Sequence, residues 1–330
     1  MKSEKIKVGV VGVGHLGQHH AKHYNSLSNA KLVGVCDTDT KRGEKIANQL
    51  NTNFYNNPSD LMKLCDGISV VTPTESHYNV ATMAIADYNC HVFIEKPITE
   101  TIQQADDLIA LAKAKNKIIQ VGHIERLNPA LKILEKYQLN PKFIEIQRLA
   151  PYTIRGTDVP VVLDLMIHDI DILLSLVKSD VETIHASGVS IITDSVDIAH
   201  ARIRFNNGTV SSVTSSRVAK DKVRKIKIFQ ENLYSTIDLL LEQTEIYSVI
   251  KDPNLIPSAL YTEPFTQDKK EKYIVYEKPT LEKDDLLGLE IKNFISSIQG
   301  KETPIVSGIE ARNALNVAIK IHDMILEDLK

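Results

Sequence analysis

Two rhythms of apolar residues alternate along the first third of the chain. Short β-branched runs, typical of buried strands, are separated by segments in which apolar residues recur every three to four positions, as on one face of a helix. The strand-like runs fall at about 6–13, 31–36, 67–71, 91–94 and 117–121. The helical segments fall at about 15–27, 41–50, 58–65, 76–88 and 100–115. This order predicts an α/β domain over residues 1–122 with a doubly wound parallel sheet.

The pattern changes after residue 122. A helix at about 129–137, a strand at about 142–149 and a helix at about 159–177 precede a region of mainly strand-like patterning, 181–279. Within that region, Asn207-Gly208 between two alternating runs predicts a hairpin. Helices follow at about 284–299 and 308–328. We expect residues 123–330 to form an α+β domain with a large, mainly antiparallel sheet, and its last helices to pack back toward the first domain.

Composition narrows the class of protein. Of 330 residues, 43% are hydrophobic and 25% charged, and the formal net charge is −3, as in ordinary globular proteins. No Lys/Arg-rich run is present, so we expect no nucleic-acid partner. No apolar run approaches the roughly 20 residues that cross a bilayer, so we expect no membrane segment and no signal peptide. Cys36, Cys65 and Cys90 lack metal or redox spacing and indicate thiols in a reducing cytoplasm.

Glycines and an acid at the first two strands carry the first chemical signal. The first strand leads into a G-x-G-x-x-G turn, and Asp37 ends the second strand, which together form the dinucleotide fingerprint of the Rossmann fold. The following helix would direct its free N–H groups at a pyrophosphate. Asp37 would accept hydrogen bonds from the adenosine ribose, which favours NAD over NADP. The residues assigned to the cofactor here are Gly12, Gly14, His15, Leu16, Gly17 and Asp37.

Two further segments follow strands at the same edge of the predicted sheet, where ligands of doubly wound folds bind. They contribute Thr72, Pro73, His77, Glu95 and Lys96 to the predicted cofactor site. Lys96 directly follows a strand and is placed to face the nicotinamide, although a surface lysine is the alternative. His77 would either contact the cofactor or cap the next helix.

Asp164, His168 and Asp171 have the i, i+4, i+7 spacing of one helix face. Asp164 could accept a hydrogen bond from His168, fix its tautomer and support its protonated form, so that His168 accepts a proton from an alcohol. A solvated polar stripe or a metal site is the alternative. We expect no metal, because hydride transfer from an alcohol needs only a base once NAD supplies the electron sink.

These motifs resemble the signature of the Gfo/Idh/MocA family, named for glucose–fructose oxidoreductase and inositol dehydrogenase, and the resemblance covers the whole chain. The matching motifs are Gly12-x-Gly14-x-x-Gly17, Glu95-Lys96-Pro97 and Asp164-x-x-x-His168. The resemblance implies that Lys96 and His168 meet over the nicotinamide and both contact substrate. It implies that His168, partnered by Asp164, takes the hydroxyl proton while Lys96 orients and polarises the oxygen.

Longer stretches resemble the branch of this family that oxidises the 3-hydroxyl of UDP-N-acetylglucosamine. They are 122–129, 148–158, 162–171 and 215–218, with Leu127 departing from the expected Phe. The resemblance implies a nucleotide-sugar substrate and a downstream aminotransferase that converts the ketone to a diamino sugar for lipid A or related glycans. An inositol-type polyol dehydrogenase, a UDP-N-acetylglucosaminuronate 3-dehydrogenase and a dinucleotide-sensing regulator are the alternatives. Retention of Lys96, Asp164 and His168 argues against the regulator.

Arginines of the second domain suit a diphosphate, because planar guanidinium groups bind phosphate in a bidentate manner. They are Arg126, Arg148, Arg155, Arg217 and Arg224. Of these we assign Arg126, Arg155 and Arg217 to substrate binding, while each alone could equally be a surface or strand-edge arginine.

Alternating strand positions of the second domain supply apolar residues for an uncovered sheet face. They are Val189, Ile191, Ala199, Ala201, Ile203 and Val213. An exposed apolar face of that size marks an interaction site. We therefore expect a homo-oligomer, a dimer or tetramer, with closed symmetry.

Overall fold

The computed structural model describes residues 5–153, 159–252, 259–267 and 270–330. The chain forms two compact units. The first unit comprises Met1–Ile124 and Asp285–Leu315, and the second comprises Glu125–Asp284 and Asn316–Lys330. The first segment thus ends two residues beyond the predicted boundary at 122, and a later stretch of chain rejoins the first unit.

The first unit contains a six-stranded parallel sheet, which confirms the predicted doubly wound fold. Its strands are β1 (Ile6–Val11), β2 (Ala30–Cys36), β3 (Asn53–Tyr55), β4 (Gly67–Val70), β5 (His91–Glu95) and β6 (Ile119–Gly122). Their spatial order is β3-β2-β1-β4-β5-β6. The direction of winding reverses between β1 and β4, and ligands of such sheets bind beyond the carboxyl ends of the strands at this point.

Helices alternate with these strands, as the sequence pattern predicts. They are α1 (Gly17–Ser26), α2 (Thr40–Leu50), α3 (Pro58–Met62), α4 (Thr74–Ala86) and α5 (Ile102–Ala114). Asp39 caps α2, and Thr101 forms a capping box at α5 with Gln104. Asn57 precedes α3 with Pro58 at the first helical position, but the Asn57 side chain makes no capping hydrogen bond.

The core of the first unit is completed by a helix from the far end of the chain. This helix, α8 (Leu286–Ile298), contributes Ile291, Phe294 and Ile295 to the buried cluster around β1 and β2. The ring of Phe294 lies edge-on to that of Phe93, with centroids 5.8 Å apart. The first unit therefore buries its sheet only when residues distant in sequence are present.

The second unit contains a nine-stranded sheet, mainly antiparallel as predicted. Its strands are β7 (Phe143–Leu149), β8 (Val181–Val189), β9 (Ile198–Phe205), β10 (Val210–Ser216), β11 (Val223–Gln230), β12 (Leu233–Asp238), β13 (Gln243–Ile250), β14 (Tyr261–Gln267) and β15 (Lys270–Glu277). Their order is β14-β15-β13-β12-β11-β7-β10-β9-β8. The predicted hairpin joins β9 to β10, and the parallel pair is β7 with β10.

The helices of the second unit differ from the predicted ones in one important place. They are α6 (Pro129–Lys132), α7 (Ile167–Val177) and the end of α9 (Gly308–Asp328), with 3₁₀ turns at Ile124–Leu127 and Ile133–Lys136. A wider, π-type turn at Val162–Met166 precedes α7. The α-helical spacing expected between Asp164 and His168 is therefore wrong, because a π turn closes through i→i+5 hydrogen bonds and holds more residues than an α turn. The spacing between His168 and Asp171 is α-helical as predicted.

The prediction of an uncovered apolar sheet face is wrong for four of its six residues. Ala199, Ala201, Ile203 and Val213 are completely buried, because the alternation along β9 and β10 points them to the covered face of the sheet. Of the predicted set, Val189 and Ile191 are exposed.

On the other half of the nine-stranded sheet, aromatic side chains form a row on one face and are partly or largely exposed. The strand register places neighbouring members of this row directly opposite one another. This aromatic stripe consists of Phe143, Phe229, Tyr234, Tyr247, Tyr276 and Tyr261. Ring centroids along the stripe are 4.8–5.9 Å apart from Phe143 to Tyr276.

None of the helices within the described ranges is both long enough and apolar enough to cross a membrane.

Candidate active site

The glycine turn after β1 is shaped to receive a dinucleotide. Gly12 has φ +87°, and a Cβ there would collide with the carbonyl oxygen of Val71. A Cβ on Gly17 would collide with the carbonyl oxygen of Gly12, so helix α1 can approach the turn only with glycine here. At Gly14 the space where a Cβ would point is open, and a pyrophosphate could approach the backbone there.

The N-terminus of α1 adds a favourable dipole to this turn. Leu16 occupies the N-cap position, and its side chain makes no capping hydrogen bond. The first N–H groups of a helix are anion donors when no side chain caps them. His15 and Leu16 are both exposed beside the turn. The backbone thus fits the phosphates of the predicted cofactor, and His15 and Leu16 stay predicted cofactor contacts.

Asp37 is tied to the glycine turn and to a basic neighbour. One oxygen accepts from the Val13 backbone N–H at 2.8 Å, and the other accepts from the Asp39 N–H at 2.8 Å. The Arg42 guanidinium donates to both oxygens, at 3.1 and 2.6 Å. Burial raises the pKa of Asp37, but the bonds from Arg42 and the two amides outweigh burial and hold it below its ordinary value. The carboxylate is therefore ionised, and Arg42 balances its charge.

The segment after β4 places a buried histidine between two loops. Thr72 and Pro73 lead directly into α4, which carries His77. The His77 ring is 1% exposed. Its Nδ1 lies 2.9 Å from the carbonyl oxygen of Pro97, and its Nε2 lies 2.9 Å from that of Thr72. The structure thus engages both ring nitrogens of His77 within the protein. Contact of Thr72, Pro73 and His77 with the cofactor stays a prediction.

Glu95 ends β5 and belongs to a buried hydrogen-bond network that the sequence analysis missed. The His20 Nε2 lies 3.0 Å from Glu95 Oε1, and its Nδ1 lies 3.4 Å from the Ser69 hydroxyl. That hydroxyl is 2.8 Å from the Tyr24 hydroxyl. Burial raises the pKa of Glu95, but the His20 hydrogen bond and the nearby charge of Lys96 bring it below its ordinary value. An ionised carboxylate therefore directly precedes Lys96.

The candidate acid–base residues of the second unit lie where the chain enters α7. Asp164 is in the π-type turn, and His168 is the second residue of α7. Both are partly exposed. Their predicted pairing is not established by the helical spacing, and stays a prediction.

The next two acids of α7 are buried in ion pairs. Asp171 accepts from the Arg126 guanidinium at 2.6 and 2.9 Å. Asp169 accepts two hydrogen bonds at 2.8 Å from Arg148, which also donates to Glu125 at 3.2 Å. The bidentate geometry makes these strong, specific contacts. Asp171 therefore anchors α7 through Arg126, and its i, i+3 spacing places it on the same helix face as His168.

The predicted substrate arginines lie in different settings. Arg126 makes the Asp171 pair and keeps part of its side chain exposed. Arg217 is nearly buried, with its guanidinium donating to the carbonyl oxygen of Val159 and lying near Asp197. Arg155 lies outside the described residues. Arg224, 41% exposed at its side chain, donates to Glu125 at 2.7 Å. Substrate binding by Arg126, Arg155 and Arg217 stays a prediction.

Comparison with known proteins places the chain in a family. Residues 6–123 match the oxidoreductase family with an NAD-binding Rossmann fold, and residues 150–232 match the C-terminal domain of Gfo/Idh/MocA proteins. The protein belongs to the Gfo/Idh/MocA family of oxidoreductases. It is thus an enzyme of the dehydrogenase class whose first unit binds a nicotinamide dinucleotide.

Individual relatives match over nearly the whole chain. A UDP-N-acetylglucosamine 3-dehydrogenase from Acidithiobacillus ferrooxidans is 33% identical over 96% of this chain and 96% of its own. A crystal form of that enzyme covers 99% of both chains with TM-score 0.88 and 31% identity. A myo-inositol 2-dehydrogenase from Thermotoga maritima is 25% identical over 94% of this chain and 93% of its own.

Proposed function

We propose that the protein oxidises the 3-hydroxyl of a UDP-linked N-acetylglucosamine to a ketone, with NAD as the hydride acceptor. The observation that carries this proposal is the full-length 33% identity to the UDP-N-acetylglucosamine 3-dehydrogenase of A. ferrooxidans. Lys96, Asp164 and His168 accompany it, because they supply the proton chemistry that a dehydrogenase needs.

In this proposal the protein moves one proton and fixes one oxygen. His168 accepts the proton of the sugar 3-hydroxyl, and Asp164 supports the imidazolium that results. Lys96 donates to the same oxygen and stabilises the negative charge that develops before the C=O bond forms. The bound dinucleotide supplies the acceptor for the hydride that leaves the same carbon.

The direct test is turnover with a defined set of sugars. The protein is incubated with NAD and UDP-N-acetylglucosamine, other UDP-sugars, free N-acetylglucosamine and inositols. NADH absorbance and the mass of the product, two units lower than substrate because two hydrogens leave, are the readouts. Where equilibrium favours the alcohol, an aminotransferase that consumes the ketone pulls the reaction forward. His168→Ala is the matched control for contaminating activity.

The inositol dehydrogenases provide the second candidate, since one of them matches over 94% of this chain. Efficient oxidation of a free inositol, with no inhibition by UDP, would replace the nucleotide-sugar proposal by the polyol alternative. In the nucleotide-sugar case, UDP is a competitive inhibitor and the free sugar a very poor substrate, because binding energy from the remote nucleotide orients the reacting hydroxyl.

NAD is the proposed cofactor, because Asp37 carries a negative charge at the position that reads the adenosine ribose. The ion pair with Arg42 moderates this preference, since a guanidinium beside the carboxylate offsets its repulsion of a 2′-phosphate. We also propose a cytoplasmic location, which suits the three free cysteines, and a downstream aminotransferase that takes the ketone.

A second copy of this chain is the proposed partner of the aromatic stripe. The partly exposed rings share their face with two ion pairs. Glu145 lies 3.2 Å from Lys227, and Lys278 lies 3.2 Å from Glu245. A strip that presents both signs of charge beside an apolar row is complementary to itself after a twofold rotation. Closed pairing would remove this apolar area from water.

A further inference from the structure

Two buried histidines bond the residues on either side of Lys96. His20 contacts Glu95, which precedes Lys96, and His77 contacts Pro97, which follows it. We propose that His20 and His77 are positioning residues that together fix Lys96 for its role in the proposed reaction. This inference rests on the proposed function of Lys96, but not on the identity of the sugar.

The first of these contacts is rigid. His20 is completely buried in α1 and its Nε2 lies 3.0 Å from Glu95 Oε1. The ring cannot turn freely, because its Nδ1 faces Ser69 at 3.4 Å and its edge packs on Phe93, with centroids 5.0 Å apart and planes at 77°. Ser69 is held in turn by Tyr24. The carboxylate of Glu95 is thus fixed from the interior of the unit.

The second contact joins two loops at the carboxyl edge of the sheet. His77 spans the carbonyl oxygens of Thr72, after β4, and Pro97, after β5, at 2.9 Å each. Carbonyl oxygens only accept hydrogen bonds, so a neutral ring bonds one of them and an imidazolium bonds both. Burial is the largest influence on the pKa of His77 and holds it below its ordinary value, although the two carbonyl bonds and the charges of Glu95 and Glu100 act in the opposite direction.

Because the residues before and after Lys96 are both held, the backbone from which the Lys96 side chain extends is held as well. Lys has a long, flexible stem and loses rotamer freedom when it is held in one geometry. Preorganised placement matters, because misplacing a reacting group by about 1 Å can cost about a hundredfold in rate. Neither histidine would touch the substrate oxygen, and both act through the chain around Lys96.

The experiment compares His20→Gln and His77→Gln with His91→Gln. His91 is a matched control, because it lies on β5 as well and its Nδ1 accepts a hydrogen bond from Ile118 at 3.1 Å, at the opposite end of the strand from Lys96. We expect kcat to fall about 10–100-fold in the first two variants. KM for the sugar should change less than about threefold in both variants, and the Kd for NADH less than about threefold in His20→Gln, because His20 is not among the predicted binding contacts.

A readout independent of turnover is the rate at which an amine-reactive reagent labels Lys96 in the free enzyme, resolved by peptide mass spectrometry. We expect His20→Gln and His77→Gln to label Lys96 several-fold faster relative to Lys117, and His91→Gln to leave that ratio unchanged. His20→Asn and His77→Asn provide a second variant at each position. All labelling is done at a temperature well below the Tm of the variant concerned.

The outcomes separate the inference from the function. Wild-type activity in Lys96→Ala would refute the role proposed for Lys96, and with it the positioning claim. An inactive Lys96→Ala beside folded His20 and His77 variants of normal kcat and normal Lys96 labelling would overturn the positioning claim alone. A fall in Tm with equally faster labelling of all lysines would also overturn it, because the histidines would then only stabilise the unit.

Discussion

At the scale of single residues, the proposed chemistry depends on two side chains from the two units. His168→Ala and Lys96→Ala should each lower kcat about 10²–10⁴-fold, the usual effect of losing a positioned proton-transfer group. The double variant should be little worse than either single one, since both groups act on one oxygen. Steady-state kinetics with the sugar that the turnover test identifies measures this, and rates within a few-fold of wild type would refute the assignment.

The ion pair between Asp37 and Arg42 predicts how the enzyme distinguishes its cofactors. Arg42→Ala leaves the Asp37 charge unbalanced, so NADP affinity should fall by about tenfold, or roughly 1.4 kcal/mol, while NAD affinity changes little. Asp37→Ala should weaken NAD more than NADP. Fluorescence titration of both reduced cofactors gives the affinities, and Lys45→Ala, an exposed change on the same helix, is the control. Tighter NADP than NAD binding in the wild type would contradict the preference.

At the scale of elements, α7 owes its attachment to buried ion pairs. Asp171→Ala leaves the Arg126 guanidinium without its bidentate partner, and breaking a buried pair costs about 3–5 kcal/mol. Chemical denaturation should show this loss in the free energy of unfolding. Glu182→Ala is the control, because its pair with Arg204 is about half exposed and exposed pairs contribute about 0–1 kcal/mol. Equal effects of the two changes would contradict the anchoring role of Asp171.

The loop between β8 and β9 predicts a loss of stability in acid. Asp197 accepts from the N–H groups of Ile191, Ile192 and Thr193 at 2.7–2.9 Å. Burial raises the pKa of Asp197, but these bonds outweigh burial and depress it well below its ordinary value of 3.8. The stabilisation is therefore complete above that value and disappears as the pH falls through the lower folded-state pKa.

Asp197→Asn should remove this acid dependence and lower the free energy of unfolding at neutral pH by about 1–3 kcal/mol, because hydrogen bonds to a charged group are lost. Urea denaturation between neutral pH and the acid limit measures both effects. Asp194→Asn in the same loop is the control. An unchanged slope of stability against pH below 4 in Asp197→Asn would contradict the role of this carboxylate.

At the scale of the whole molecule, the aromatic stripe predicts assembly. Phe229→Lys or Tyr247→Lys places a charge in the middle of the apolar row and should convert the proposed oligomer to monomer at micromolar concentration, because burying an unpaired charge is costly. Light scattering coupled to size exclusion gives the mass. Leu241→Lys is the control, since Leu241 is 62% exposed in the turn after β12. A monomeric wild type would refute the proposed assembly.

The sequence predicts the features of this molecule that depend on neighbouring residues, but not those that depend on residues far apart in the chain. Gly12 and Gly17 can be recognised because the turn and the close approach of α1 demand glycine. Asp37 and Lys96 can be recognised because each directly follows a strand. The hydrogen bond between His20 and Glu95 joins residues 75 positions apart, and no local pattern of residues predicts such a pair. The π-type turn before α7 was missed, since its apolar pattern resembles that of an α-helix.

The prediction of which sheet face is exposed is limited in the same way. The sequence shows the alternation along β9 and β10, but tertiary packing decides which set of residues is covered. The apolar set that was expected to be exposed is the buried one. The aromatic stripe arises only when five pairings bring six separate strands into register, so single rings in the sequence give no sign of it.

The position of α8 in the chain has a consequence for biosynthesis. Phe294 packs against Phe93 in the first unit, yet it is translated after Glu125–Asp284, the larger segment of the second unit. The nascent chain thus exposes the unfinished apolar side of its first sheet while roughly 170 further residues are made, about 10–30 s at typical elongation rates. The first unit therefore gains α8 only after most of the second unit has been translated. Apolar surface that stays exposed during such an interval favours aggregation.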